Sequence, residues 1–226
     1  MASHLVVRAC PPFRVPGQDS APAVAALERE ALQFLDPPEL ERARAMMPAP
    51  RQDFLAARLA QRLFAAELLG VRARDLTARY RCPRCGSGPG VTHGMPGYEL
   101  AGLRAPLLLS LSRAAGWTLL AAVAEPGPEQ RLGVDAEDPQ RLDFDGFDAV
   151  ALTPAEHQAI APLRGRALLR ERARLWARKE AFLKMTGEGL RRRPETVDVL
   201  NRAGVRDLAP AESGLPDELA AAVALG

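Results

Sequence analysis

Arg174-Leu-Trp-Ala-Arg-Lys-Glu-Ala-Phe-Leu-Lys-Met-Thr-Gly187 holds both lysines of a chain whose other twenty-eight basic side chains are arginine. Arginine offers a planar fork and lysine a compact point charge, so Lys179 and Lys184 stand where a point charge matters. Leu169, Ala173, Trp176 and Leu183 recur at three- and four-residue steps, the period of one helix face, and Gly187 supplies a C-terminal stop. Glu180 lies on that apolar stripe, while Glu171, Arg174 and Arg178 make a charged back face. A carboxylate turned toward the core needs a partner. Lys184 offers an i,i+4 ion pair of about 0.2–0.5 kcal/mol, which implies no function. A bound cation is the other solution, and it requires more acids from elsewhere in the chain.

Arg131-Leu-Gly-Val-Asp-Ala-Glu-Asp138 contains them. If residues 132–137 form a strand, Asp135 and Glu137 point to one side and Val134 and Ala136 to the other. Two adjacent carboxylates repel, and among small apolar neighbours a hard divalent cation such as Mg²⁺ resolves that repulsion. Asp135, Glu137 and Glu180 then form a three-acid set with Lys184 one turn beyond, a combination suited to a Mg²⁺-bound pyrophosphate.

The chain has 226 residues, 47% of them hydrophobic and 26% charged, enough for one large domain or two small ones. Its formal net charge is +2, with 28 acids among 30 bases, so it carries no overall polyanion-binding signature. The apolar runs fall far short of the ~20 residues that span a bilayer, and no membrane association is expected. Cys10, Cys82 and Cys85 are too few for a disulfide framework. The expectation is a soluble, cytoplasmic protein.

In order along the chain, Leu5 to Val7 reads as a strand, Pro11 to Pro22 as a loop, and Ala23 to Leu35 as a helix ended by Pro37-Pro38. A second helix covers Arg51 to Leu69 with Gly70 as its cap, and Arg58 and Arg62 share a face. Such a face either clamps a phosphate or is solvated, and the spacing alone favours solvation. Leu107 to Ser112, the turn Arg113 to Gly116, and Trp117 to Ala124 read as a hairpin. Its Ser112-Arg113 end offers hydroxyl and guanidinium donors of the kind a phosphate site needs. Thr153-Pro-Ala-Glu156 is a helix-start signature. Gly187 to Arg193 reads as a flexible basic loop, Thr196 to Leu200 as a strand, and Leu219 to Leu225 as an edge strand or helix. Between Tyr80 and Tyr98 the Cys82-Pro-Arg-Cys85 knuckle suggests zinc, with Cys10 or His93 to complete the set. Two reduced loop cysteines are the plain alternative.

Gly133-Val-Asp135-Ala-Glu137, Trp176-Ala-Arg-Lys179-Glu180-Ala and Lys184 resemble the two signature motifs of the 4′-phosphopantetheinyl transferases of the larger, two-subdomain, surfactin-synthetase-activating type. Leu152-Thr-Pro-Ala-Glu156, His93-Gly-Met-Pro96 and Ser110-Leu-Ser112 are similar to further family segments, over roughly residues 51 to 200. The chain departs from the family at Arg113, where histidine is usual, at Met95, where a basic residue is usual, and at Arg172, where an apolar one is favoured.

The resemblance implies an α+β fold of two pseudo-symmetric subdomains, each a long helix on a small antiparallel sheet. Residues 1–124 would form the first and 125–226 the second, with the active site in the cleft between them. It implies transfer of 4′-phosphopantetheine from coenzyme A to a serine of an apo acyl or peptidyl carrier protein, releasing adenosine 3′,5′-bisphosphate. Asp135, Glu137 and Glu180 would bind Mg²⁺, and Glu180 would help deprotonate the serine. Lys184 and Lys179 would stand beside the phosphates. Ser112, Arg113, Arg58 and Arg62 would contact the nucleotide, and Trp176 would fix the helix. The chain would act as a monomer without nucleic acid, its carrier docking beside Phe147 to Arg170. The competing readings are a carrier-binding homologue that has lost catalysis and a zinc-knuckle nucleic-acid-binding module.

Overall fold

The computed structural model describes residues 4–13, 21–88 and 90–226. Residues 14–20 of the expected loop from Pro11 to Pro22, and Pro89 of the cysteine segment, lie outside the described residues. The chain is α+β. Strand β1 (Leu5–Cys10) is followed by helices α1 (Ala21–Phe34), α2 (Pro37–Arg44) and α3 (Pro48–Leu69). Short strands β2 (Leu76–Ala78), β3 (Arg81–Cys82), β4 (Gly86–Ser87), β5 (Tyr98–Leu100) and β6 (Leu103–Arg104) lead to the hairpin β7 (Leu107–Ala114) and β8 (Trp117–Ala124). Then come β9 (Leu132–Glu137), α4 (Phe147–Ala151), α5 (Pro154–Ile160), α6 (Gly165–Thr186), β10 (Val205–Asp207), α7 (Pro210–Ser213) and β11 (Ala220–Leu225). No helix among the described residues is long and apolar enough to cross a membrane.

The chain divides into two compact units, the first of residues 1–5, 10–109 and 122–126, the second of 6–9, 110–121 and 127–226. In the first, α3 packs on α1 and α2, and β2, β5 and β6 form a small antiparallel sheet. Gly70 ends α3 with φ 65°, a conformation glycine adopts without steric cost. The face of α3 that carries Arg58, Gln61 and Arg62 is buried, contrary to the solvated reading of the two arginines. Its partners come from distant sequence. Arg62 meets Asp36 at 2.8 Å and Glu39 at 3.0 Å and donates to the Leu76 carbonyl at 2.8 Å. Gln61 donates to the hydroxyls of Tyr80 and Tyr98. Burying a guanidinium is tolerated when charge and hydrogen bonds are returned to it, as they are at the two Nη atoms of Arg62, while its Nε is buried without a hydrogen-bond partner among the described residues.

In the second unit, β11 lies between β10 and β9 and pairs antiparallel with both. The C-terminal run is thus the central strand of its sheet rather than an edge strand or helix. Alanines at 222 and 224 sit opposite Asp135 and Gly133 and leave a low surface on which α6 settles. The expected back face of α6 is covered as well. Arg174 and Arg178 reach Asp207 on β10 at 3.1 Å and 3.7 Å, and Arg178 donates to the Val205 carbonyl.

The capping box read from Thr153 and Glu156 opens α5, with Thr153 accepting from the Glu156 amide at 3.3 Å. Residues 196–200, expected as a strand, pair with no strand. Their backbone groups are taken by side chains instead. Glu156 accepts from the Val199 amide at 2.9 Å, and Lys179 donates to the carbonyls of Val197 and Pro194. Val197 and Val199 are fully buried, which explains why the segment alternates like a strand without being one.

Candidate active site

The site begins with a glycine. A Cβ at Gly133 would overlap the Ala181 carbonyl oxygen and stand 2.5 Å from the Met185 backbone nitrogen, so only glycine lets β9 lie this close under α6. By strand alternation Asp135 and Glu137 share the Gly133 side and face the helix that carries Glu180 and Lys184.

Asp135 is buried. Its Oδ1 accepts from the Ser112 hydroxyl at 2.6 Å and from the Lys184 ammonium at 2.6 Å. Its Oδ2 is buried without a hydrogen-bond partner among the described residues. Lys184 also donates to the carbonyls of Leu111 and Val134, at 3.3 Å and 3.2 Å. Ser110 accepts from the Val134 amide at 3.0 Å, so two serines of β7 bind adjoining parts of β9.

Burial pushes the Glu137 carboxyl up to about 8, with Asp135 and Glu180 adding to the rise and Lys184 opposing it. Glu180 is likewise raised, first by burial and then by Asp135, again against Lys184. Three acids thus share one field with a single ammonium. The unpartnered oxygen and the elevated carboxyls are what a divalent cation would relieve, and an all-oxygen donor set suits Mg²⁺ or a similar hard ion. In donor chemistry these residues fit such a cation, although their carboxylate oxygens do not all lie within 4.8 Å of one another.

These elements fall within residues 131–213, which match the family model described as the 4′-phosphopantetheinyl transferase superfamily. Over these residues the chain is similar to that superfamily. No curated protein matches the chain. The matched segment contains both acidic motifs, α6 and Lys184, whereas Ser110, Ser112 and Arg113 on β7 precede it.

The structure does not bring every expected site residue to the acids of the matched segment. Lys179 is fully buried, 2.6 Å from Glu156, and its remaining donors go to Pro194 and Val197. Lys179 and Glu180 are neighbours in sequence but about 100° apart on the helix, so they serve different surroundings. Arg58 and Arg62 are buried in the first unit among Glu39, Asp36, Thr92 and Tyr80. Arg113 is exposed beside the β7–β8 turn, whose Ala115 and Gly116 both have positive φ.

Trp176 packs edge-on to Phe147 with ring centroids 5.9 Å apart. Arg172 grips Asp148 through two hydrogen bonds of 2.8 Å and 2.9 Å and lies over Phe147, fastening α4 to α6. The Thr153–Glu156 spacing marks Glu156 as a helix cap and gives no sign of its pairing with Lys179. The sole hint was that Lys179 is one of just two lysines.

Proposed function

We propose that the protein transfers the 4′-phosphopantetheine group of coenzyme A to a serine hydroxyl of an apo acyl or peptidyl carrier protein, releasing adenosine 3′,5′-bisphosphate. The observation that carries this reading is the shared field of Asp135, Glu137 and Glu180, with one Asp135 oxygen buried and unpartnered among the described residues, in the segment similar to the superfamily.

Asp135, Glu137 and Glu180 would hold Mg²⁺. Bound there, the cation supplies charge neutralisation for the pyrophosphate. Glu180 accepts the proton of the attacking serine. The serine oxygen forms a bond to the phosphorus that carries pantetheine, the bridging P–O bond breaks, and the electron pair leaves with the adenosine bisphosphate. Lys184, held beside Asp135 by two backbone carbonyls, steadies the charge that shifts to the departing phosphate. Arg113 is the exposed cation of the Ser112-Arg113 pair and replaces the family's usual histidine there with a guanidinium able to bind phosphate through two donors.

Trp176 and Arg172 position α6 and take no part in the chemistry. The carrier docks beside Phe147 to Arg170, where Val150 is 59% exposed and Arg164, Arg166 and Arg170 are also exposed. Charge reversal of those arginines should weaken carrier binding. Unchanged carrier affinity would remove this docking site. The enzyme acts as a cytoplasmic monomer in this reading.

The deciding experiment mixes the protein with coenzyme A, Mg²⁺ and a panel of apo carrier domains and records intact carrier mass, for the wild type and Glu180→Gln. Gain of one phosphopantetheine by the wild type alone supports the reading. No gain on any carrier, with coenzyme A failing to bind, refutes it.

A further inference from the structure

The first unit holds a second cluster of metal-ligating side chains. The ligand atoms of Cys82, Cys85 and His93 all lie within 4.8 Å of one another, and Cys85 Sγ is 3.4 Å from His93 Nε2. Zinc bonds of about 2.3 Å to sulfur and about 2.0 Å to nitrogen span a tetrahedral edge of about 3.5 Å, close to that separation.

The backbone builds this arrangement from two directions. Cys82 ends β3 and Cys85 precedes β4, and Cys82 is paired with Gly86 across the hairpin. Gly86, at φ 79°, turns the chain back directly after the second cysteine. His93 arrives on the returning segment, just before the isolated bridge between Arg81 and Met95. Arg81 and Met95 exchange two backbone hydrogen bonds of 2.9 Å, and Arg79 donates to the Gly97 carbonyl at 2.8 Å, so residues 95–97 run beside 79–81. Gly94, at φ 89°, lies so close to β3 that a Cβ would overlap the Arg81 carbonyl and stand 3.0 Å from the Cys82 Cα. That approach sets the imidazole opposite the two sulfurs. Just upstream, the Thr92 carbonyl accepts from Arg42 at 2.9 Å and Arg58 at 2.7 Å. The ligand loop is therefore anchored on both sides of His93 by contacts that need no metal.

We propose that Cys82, Cys85 and His93 form a zinc site, with two thiolates and one imidazole as protein ligands and water in the fourth position. Thiolate and imidazole donors select zinc over the hard cation suited to the carboxylates of the second unit. The ion cross-links the β3–β4 hairpin to the segment around His93 and releases the thiol protons as it binds. This proposal is independent of the transferase reading.

The test uses the full chain, reduced and then dialysed against zinc and against zinc-free buffer. Elemental analysis and native mass spectrometry should find one zinc per chain in wild type and in Asp135→Asn. They should find none in Cys82→Ser, Cys85→Ser or His93→Ala. Cobalt(II) in the wild type should give the sulfur-to-metal charge-transfer absorption of thiolate ligation, a readout that needs no variant to fold. Substoichiometric zinc in folded, fully reduced wild type overturns the proposal. So does zinc retained by folded Cys82→Ser, or cobalt bound without the thiolate band.

Discussion

Lys184 and Ser112 converge on the same atom, Asp135 Oδ1, each at 2.6 Å, and leave the other oxygen of that carboxylate buried and unpartnered among the described residues. One side of Asp135 is thus held by the protein while the other remains available to a cation.

Asp135→Asn should abolish the stabilisation that Mg²⁺ gives the wild type. A ligand that binds only the folded state contributes about 2.7 kcal/mol at a hundred times its Kd. Thermal melts with and without Mg²⁺ measure this, and an equal rise in both proteins would deny Asp135 a role in the site. Phosphopantetheine transfer should fall by at least about 100-fold, the order found when a charge-stabilising group is removed.

Glu137 should make the metal-free protein less stable as pH rises. Its carboxyl moves from 4.5 to about 8 on folding. Between those values the unfolded chain has lost a proton that the folded chain keeps. The stabilising contribution is therefore complete below about 4.5 and is lost as pH climbs to about 8. Urea melts across this window should show a shallower decline for Glu137→Gln than for the wild type, and Mg²⁺ should flatten the wild-type curve. Identical slopes without metal would refute the prediction.

Replacing Lys179 with methionine should damage the fold first. Breaking one partner of a buried ion pair costs about 3–5 kcal/mol, and here two backbone carbonyls lose their donor as well. Equilibrium denaturation measures the loss. Wild-type stability together with weakened coenzyme A binding would instead return Lys179 to the phosphates.

At Gly133 even a methyl group is too large. Gly133→Ala should lose about 1–3 kcal/mol as β9 and α6 are forced apart. It should also weaken Mg²⁺ binding, because Asp135 and Glu137 move with the strand while Glu180 stays on the helix. A crystal structure of the variant with unchanged strand-to-helix spacing would contradict this.

Much of the local structure was legible from periodicity and capping residues. The 132–137 strand, the 107–124 hairpin, the Gly70 and Gly187 stops and the Thr153 start all follow patterns that depend on neighbours within a few positions. Residues 196–200 misled for a physical reason. Alternating burial records which side chains face the core, but a strand also needs a partner for its backbone, and Glu156 and Lys179 had taken part of that place. The arginines of α3 misled in the complementary way, because a solvated face and a buried face with distant counter-charges have the same helical spacing.

The sequence by itself determined which acids share a side. Strand alternation puts Asp135 with Glu137, and helical spacing puts Glu180 one turn before Lys184. Only the tertiary structure decided which cation meets which anion. Lys184 joins Asp135 across 49 positions, Lys179 turns away to Glu156, and Arg62 reaches Asp36 and Glu39 at the start of α2. Those choices rest on burial. A charge removed from water must take whatever counter-charge the packing brings within reach, and packing is a property of the whole chain.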